Sequence, residues 1–265
     1  MRLWWEVARR SFRRHSTYRA ALFAGVFTNT VFGFLKTYVL IAVYDARDGA
    51  PINGFDVTDV VTFSWLAQGF WMLAMQSHLE LAERIRTGDV VGDLYRPADL
   101  QLWWLSSEAG RIAFQILVRS FVPTVVGGLF FHLRLPTSPA VWIAFAVSVA
   151  LAMVVGFAHR FIVSLTTFWV LSYMGTSQLA MILIGFFSGM FVPITLFPDW
   201  LGTIARWTPY PAMLQLPIEV LLGKATSASE LAALFAAQVA WAVVLLAAGR
   251  WLLAAAQRKV VVQGG

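Results

Sequence analysis

Several nearly uninterrupted apolar runs, each about 20 residues long, decide what this chain can fold into. In hydrocarbon, backbone N–H and C=O groups find no water, so a segment of that length is expected to close its own hydrogen bonds as a helix. Composition agrees. Of 265 residues, 59% are hydrophobic and 13% charged, with a mean hydropathy of +0.70, and a soluble domain needs more polar surface than that. The absence of cysteine excludes disulfides and thiolate metal sites.

The pattern predicts an all-α integral membrane protein, one domain over 1–265, with six spans at roughly 20–43, 59–79, 107–131, 140–158, 161–192 and 232–256. The fifth run is longer than one untilted crossing requires, and Gly175, Gly185 and Gly189 offer places to bend it. Ahead of the first span, Trp4, Trp5, Ala8 and Phe12 recur at helical spacing with arginines between them. Residues 2–17 therefore read as an amphipathic helix lying in the membrane interface, and no short apolar core with a cleavage site precedes the first span. Residues 193–224 carry five prolines among Phe197, Trp200, Leu201, Trp207 and Leu214. This is too apolar for a free loop and too broken for one crossing helix, so a pair of short re-entrant or interfacial helices is expected there.

Charge placement sets the expected orientation. With both termini inside, 13 Lys and Arg fall on the cytoplasmic side, 4 fall outside (Arg47, Arg134, Arg206, Lys224), and the remaining three lie within spans. The net charge of +6 therefore belongs beside membrane lipid head groups and does not indicate nucleic acid. The same count places the longest charged stretch, Glu80 to Asp99, inside the cell. Glu80, Glu83, Asp89, Asp93 and Asp99 alternate with Arg84, Arg86 and Arg96, while Ile85, Val90, Val91 and Leu94 offer apolar anchors for a partner. Gly88 and Pro97 end or bend helical pieces. On the residues alone, this is equally a docking helix or a solvated loop helix with local ion pairs.

Two motifs carry a family resemblance. Ile85-Arg86-Thr87-Gly88-Asp89 with Asp93-Leu94-Tyr95-Arg96-Pro97 resembles the cytoplasmic loop of ABC-2 type transporter permeases. Ser188-Gly189-Met190-Phe191-Val192-Pro193 with Phe197-Pro198-Asp199-Trp200-Leu201, continuing through Pro209, Pro211, Pro217 and Gly223, is similar to their outer segment. The resemblance implies a half-transporter that pairs with a second permease, identical or similar, and docks separate nucleotide-binding ATPase subunits that hold ATP and Mg. It makes Glu83, Arg84, Arg86, Gly88, Asp89, Asp93, Leu94 and Arg96 the coupling residues, and Gly189, Pro193, Phe197, Pro198 and Trp200 an outer gate. The implied cargo is a hydrophobic or cationic drug-like compound or a lipid. None of the three lysines ends a Gly-rich phosphate loop, so no catalytic residues and no cofactor are expected in this chain itself.

Inside the spans, Asn29, Lys36, Gln115 and Arg119 are candidate pathway residues, although Lys36 and Arg119 equally suit snorkelling to head groups. Glu108, Arg111, Gln115 and Arg119 follow one helix face. Phe32, Phe34, Tyr38, Phe63, Trp65, Phe70 and Trp71 line a pathway or simply pack. The four histidines sit at separate span ends and predict no metal site. An ion-gradient-driven secondary transporter is the rival reading, weakened by the lack of intramembrane carboxylate pairs and internal repeats. A membrane enzyme would need clustered catalytic groups that the sequence does not show.

Overall fold

The structure is a computed structural model that describes residues 2–15, 19–74, 79–170 and 172–258, with the side chains of 19–23, 72, 73 and 119 outside the description. Helix α1 spans Arg2–His15, α2 Arg19–Asp45 and α3 Val57–Ala74. Two short helices, α4 Glu80–Thr87 and α5 Val90–Leu94, precede α6 Leu100–Gln115. A π-helical turn at Ile116–Ser120 joins α6 to α7, Phe121–Phe130. Then follow α8 Pro139–Leu165, α9 Met174–Phe187, α10 Asp199–Arg206, α11 Gln215–Leu221 and α12 Ala228–Gln257. No strand occurs among the described residues.

Four helical stretches are long and apolar enough to cross a membrane: Ala24–Asp45, Leu100–Phe130, Pro139–Phe168 and Ala228–Gln257. Helix α3, at 18 residues, is about 27 Å long, but Asp59, Thr62, Ser64 and Gln68 lower its apolarity. Its surroundings explain this. Residues 59–70 are all buried within the chain, so α3 is screened from lipid by its neighbours and does not need an apolar exterior.

Three expected boundaries move. The third helix begins at Leu100 rather than 107, because the Asp99 carboxylate accepts from the Leu102 N–H at 2.7 Å and caps it. Pro123 has no N–H for the carbonyl four residues back, and the π turn just before it absorbs that missing bond. The fourth helix runs past His159-Arg160 to Leu165, since Arg160 finds a buried carboxylate partner. The expected fifth span at 161–192 becomes the end of α8, a turn, and the 14-residue α9, which is about 21 Å long. Residues 16–17 and 75–78, at the edges of the expected interfacial helix and second span, lie outside the described residues.

Contacts sort the loops into two ends. At one end Arg134 reaches Asp56 (2.7 Å) and Asp59 (2.6 Å), and Lys224 reaches Asp59 (2.5 Å) and the Gly54 carbonyl (2.8 Å), so three loops meet. At the other end lie α1, α4 and α5, where Arg14 pairs with Glu80 at 3.2 Å and Arg250, late in α12, pairs with Asp99. Helix α1 lies against α6 so closely that a Cβ on Gly110 would overlap the Ala8 carbonyl.

Trp65 is the bundle's largest fully buried side chain, wedged where Gly33 of α2 and Gly127 of α7 leave room for its ring. Phe34 meets it edge-on at 5.2 Å. Trp65→Ala is expected to cost about 3–5 kcal/mol, because rigid helices on both sides cannot collapse into the gap. Thermal unfolding in detergent measures this, and a midpoint equal to wild type would contradict the packing.

Candidate functional site

The charged stretch folds into two short helices that turn back on each other. Gly88 ends α4 with φ +84°, a left-handed conformation that costs a glycine little, and its N–H bonds the Ile85 carbonyl. Thr87 Oγ1 donates to Asp89 Oδ2 at 2.8 Å and steadies the turn. Across it, Arg84 Nε and Nη2 donate to Asp93 at 2.5 and 3.1 Å, and Arg96 adds a third contact at 3.1 Å. Asp93 is only 3% exposed, so this bidentate pair is an internal brace.

The apolar residues of the stretch face inward. Leu81, Ile85 and Val90 are buried against Phe157, Phe161 and Leu165 of α8 and Leu253 of α12, with Leu94 half-buried beside them. This corrects the expectation that Ile85 and Val90 anchor a partner: both are buried against the chain's own bundle, while Val91 and Leu94 are half-buried. Exposed in the stretch are Glu80, beside α1, and Arg86, Thr87, Gly88, Asp89, Gly92, Tyr95, Arg96 and Pro97, with Tyr95 75% exposed. Glu83 and Arg86 pair at 2.5 Å on that side, and the Arg86 hydrogen bond holds the Glu83 carboxyl below its ordinary range. Arg96 also lies over the Trp103 ring at 4.8 Å.

Behind this unit sits a buried triad. Glu108 of α6 accepts from Arg111 (2.6 and 2.8 Å) and from Arg160 of α8 (2.5 Å), with exposures of 14%, 7% and 7%. It locks α6 to α8 within one turn of where α4 docks. The sequence spacing shows Glu108 and Arg111 on one face; Arg160, 52 residues on, reads there only as a topology charge at a span end.

A model of the ABC-2 family transporter proteins matches residues 31–264, nearly the whole chain. The chain belongs to the ABC-2 transporter family. It is an integral membrane transporter protein, and permeases of this family generally work with ATPase subunits. No curated protein and no solved structure matches it.

The remaining candidates of this ABC-2 protein separate. Asn29 Nδ2 donates weakly to the Gln68 carbonyl at 3.4 Å, and Lys36 Nζ donates to the Met190 carbonyl, pinning α2 to the turn after α9. Gln115 is buried with its Oε1 unpartnered; Arg119 sits in the π turn, its side chain outside the described residues. Phe34, Trp65, Phe130, Phe131 and Tyr38 pack ring against ring, with Tyr38 and Phe130 exposed at the edge of the cluster. In the outer segment, Gly189 has φ +87° beside Gln215, Pro193 is buried, and Phe197 packs on Phe186 at 5.2 Å. Pro198 and Trp200 are exposed. Among the described residues, no three His, Asp or Glu gather as a metal set.

Gln215 organises this segment: its Oε1 accepts from the Ile194 N–H at 3.2 Å and its Nε2 donates to Glu219 at 2.8 Å. Burial raises the Glu219 carboxyl above its ordinary value of 4.5, more than Gln215, Arg206 and Lys224 lower it. A raised folded-state value means that the stability it allows is fully present below the unfolded value and declines as pH rises through the folded one. Glu219→Gln is therefore expected to flatten the fall of the unfolding midpoint as pH rises from about 4.5. Parallel midpoint-versus-pH curves for the two proteins would contradict this.

Proposed function

We propose that this chain is the permease subunit of an ATP-driven ABC-2 exporter, with the α4–α5 unit as its coupling surface. The observation that carries the reading is the two-sided build of that unit. Its inner side is fastened to α8 and α12 by packing and to α1 by Arg14–Glu80, while its outer side presents a polar, partly exposed surface. A force applied to the outer side moves two long helices, because the Arg84–Asp93 brace keeps the unit from bending.

In this reading six passes are made by α2, α3, α6–α7, α8, α9 and α12, and both termini are cytoplasmic. The two-ended sorting of loops supports that path, and the excess of basic residues at the α1 end supports its inward orientation. ATP and Mg are bound by separate ATPase subunits, this chain performs no hydrolysis, and a second permease completes the pathway. ATP-driven closure of the motors pushes α4–α5, and α10 and α11 release a hydrophobic compound or lipid at the outer face.

Purification from native membrane in mild detergent is expected to bring down an ATPase in stoichiometric amount. A Glu83→Ala/Arg86→Ala variant is expected to retain its fold while substrate-stimulated hydrolysis falls about tenfold, the scale of one lost charge-assisted contact. Absence of any ATPase, with transport driven by an ion gradient, would replace this reading by the secondary-transporter one.

A further inference from the structure

Two adjoining clefts open at the α1 end. The outer one, about 390 Å³, lies between α1, α4, α5 and α6. The inner one, about 70 Å³, reaches Glu108, Arg111 and Arg160, and the two share Arg14, Glu80, Trp104 and Ser107 in their walls. The inner volume suits about two waters or one small oxyanion.

Its charge is net positive. Arg111 and Arg160 are each more than nine-tenths buried, and with Arg14 they set three guanidiniums against the two carboxylates of Glu80 and Glu108 in the cleft wall. In addition, Arg111 Nη1 and Trp104 Nε1 are buried donors with no acceptor, and both residues line the inner cleft. Buried donors beside excess positive charge call for an anionic acceptor. The outer cleft continues the pattern, with arginines outnumbering carboxylates and with Trp103 and Trp104, side chains that favour the head-group layer.

We propose that the joined clefts bind the phosphate head group of an acidic membrane lipid, seated against Arg111, Trp104 and Ser107. Placing that lipid in the inner leaflet rests on the orientation given above. The full chain is reconstituted in nanodiscs of phosphatidylcholine alone or with phosphatidylglycerol, and bound lipid is read by native mass spectrometry and unfolding midpoint. Phosphatidylglycerol is expected to stay bound and raise the midpoint. Arg111→Gln is expected to reduce its retention at least tenfold, as is Trp104→Phe, which keeps the ring and removes only the N–H donor. Arg47→Gln, an exposed arginine at the other end, is expected to leave retention unchanged. Equal behaviour of the two lipids, or full retention in both site variants, would overturn the proposal. So would an equal stabilisation by millimolar inorganic phosphate in detergent, which would assign the site to a free anion. Nanodiscs expose both faces and contain no ATPase, so failure here strikes the lipid site and leaves the permease reading standing.

Discussion

Replacing Glu108 by alanine is expected to destabilise the protein by about 3–5 kcal/mol, since it strands two buried guanidiniums rather than removing one favourable contact. Arg111 and Arg160 both donate to the same carboxylate, and each is only 7% exposed. For a chain of this size the loss corresponds to a fall of roughly 10 °C in unfolding midpoint. Glu108→Gln keeps an acceptor and is expected to lose less. A Glu108→Leu/Arg160→Met double variant is expected to regain part of the loss, because it leaves one guanidinium, Arg111, stranded instead of two. A single-alanine midpoint within about 2 °C of wild type would mean that the triad is hydrated rather than buried.

The second large effect is expected at Gly110. A Cβ there meets the Ala8 carbonyl, a backbone atom that no side-chain rotation can move, so Gly110→Val must push α1 off α6. Overpacking of this kind costs about 1–3 kcal/mol. The Phe12–Phe114 edge contact at 5.4 Å is lost with it. Limited trypsin digestion reads the outcome at Arg9, Arg10 and Arg13: cleavage about tenfold faster is expected. Wild-type digestion kinetics would contradict the close crossing of the two helices.

What the sequence made legible follows from how local each signal is. Long apolar runs are self-contained, so α2, α8 and α12 could be anticipated to within a few residues at most ends. The end of α8 was hidden because Arg160 looks like a span terminus until Glu108, far away in sequence, neutralises it. Helix α3 is legible as an apolar run, but its polar residues make sense only once its neighbours cover them. The run at 161–192 carries no charge, and its scattered Ser, Thr and Gln side chains, which a helix tolerates, do not by themselves show where a helix stops and a turn begins. In the charged stretch the break at Gly88 was readable, since a left-handed cap needs that residue. The direction of Ile85 and Val90 was not, because an apolar stripe looks the same whether it meets a partner or its own core.

The most direct measurement is a single-cysteine crosslink in native membrane. The chain has no cysteine of its own, and Thr87 sits exposed at the α4–α5 turn beside Arg86 and Asp89. Thr87→Cys with a short thiol-to-amine reagent is expected to yield one product, this chain joined to a subunit that carries a phosphate-binding loop, with ATP altering its yield. Arg47→Cys at the opposite end is expected to give none. If Cys-substituted Thr87 is labelled from outside the cell, or joins no ATPase while the protein still transports, α4–α5 is not the coupling surface.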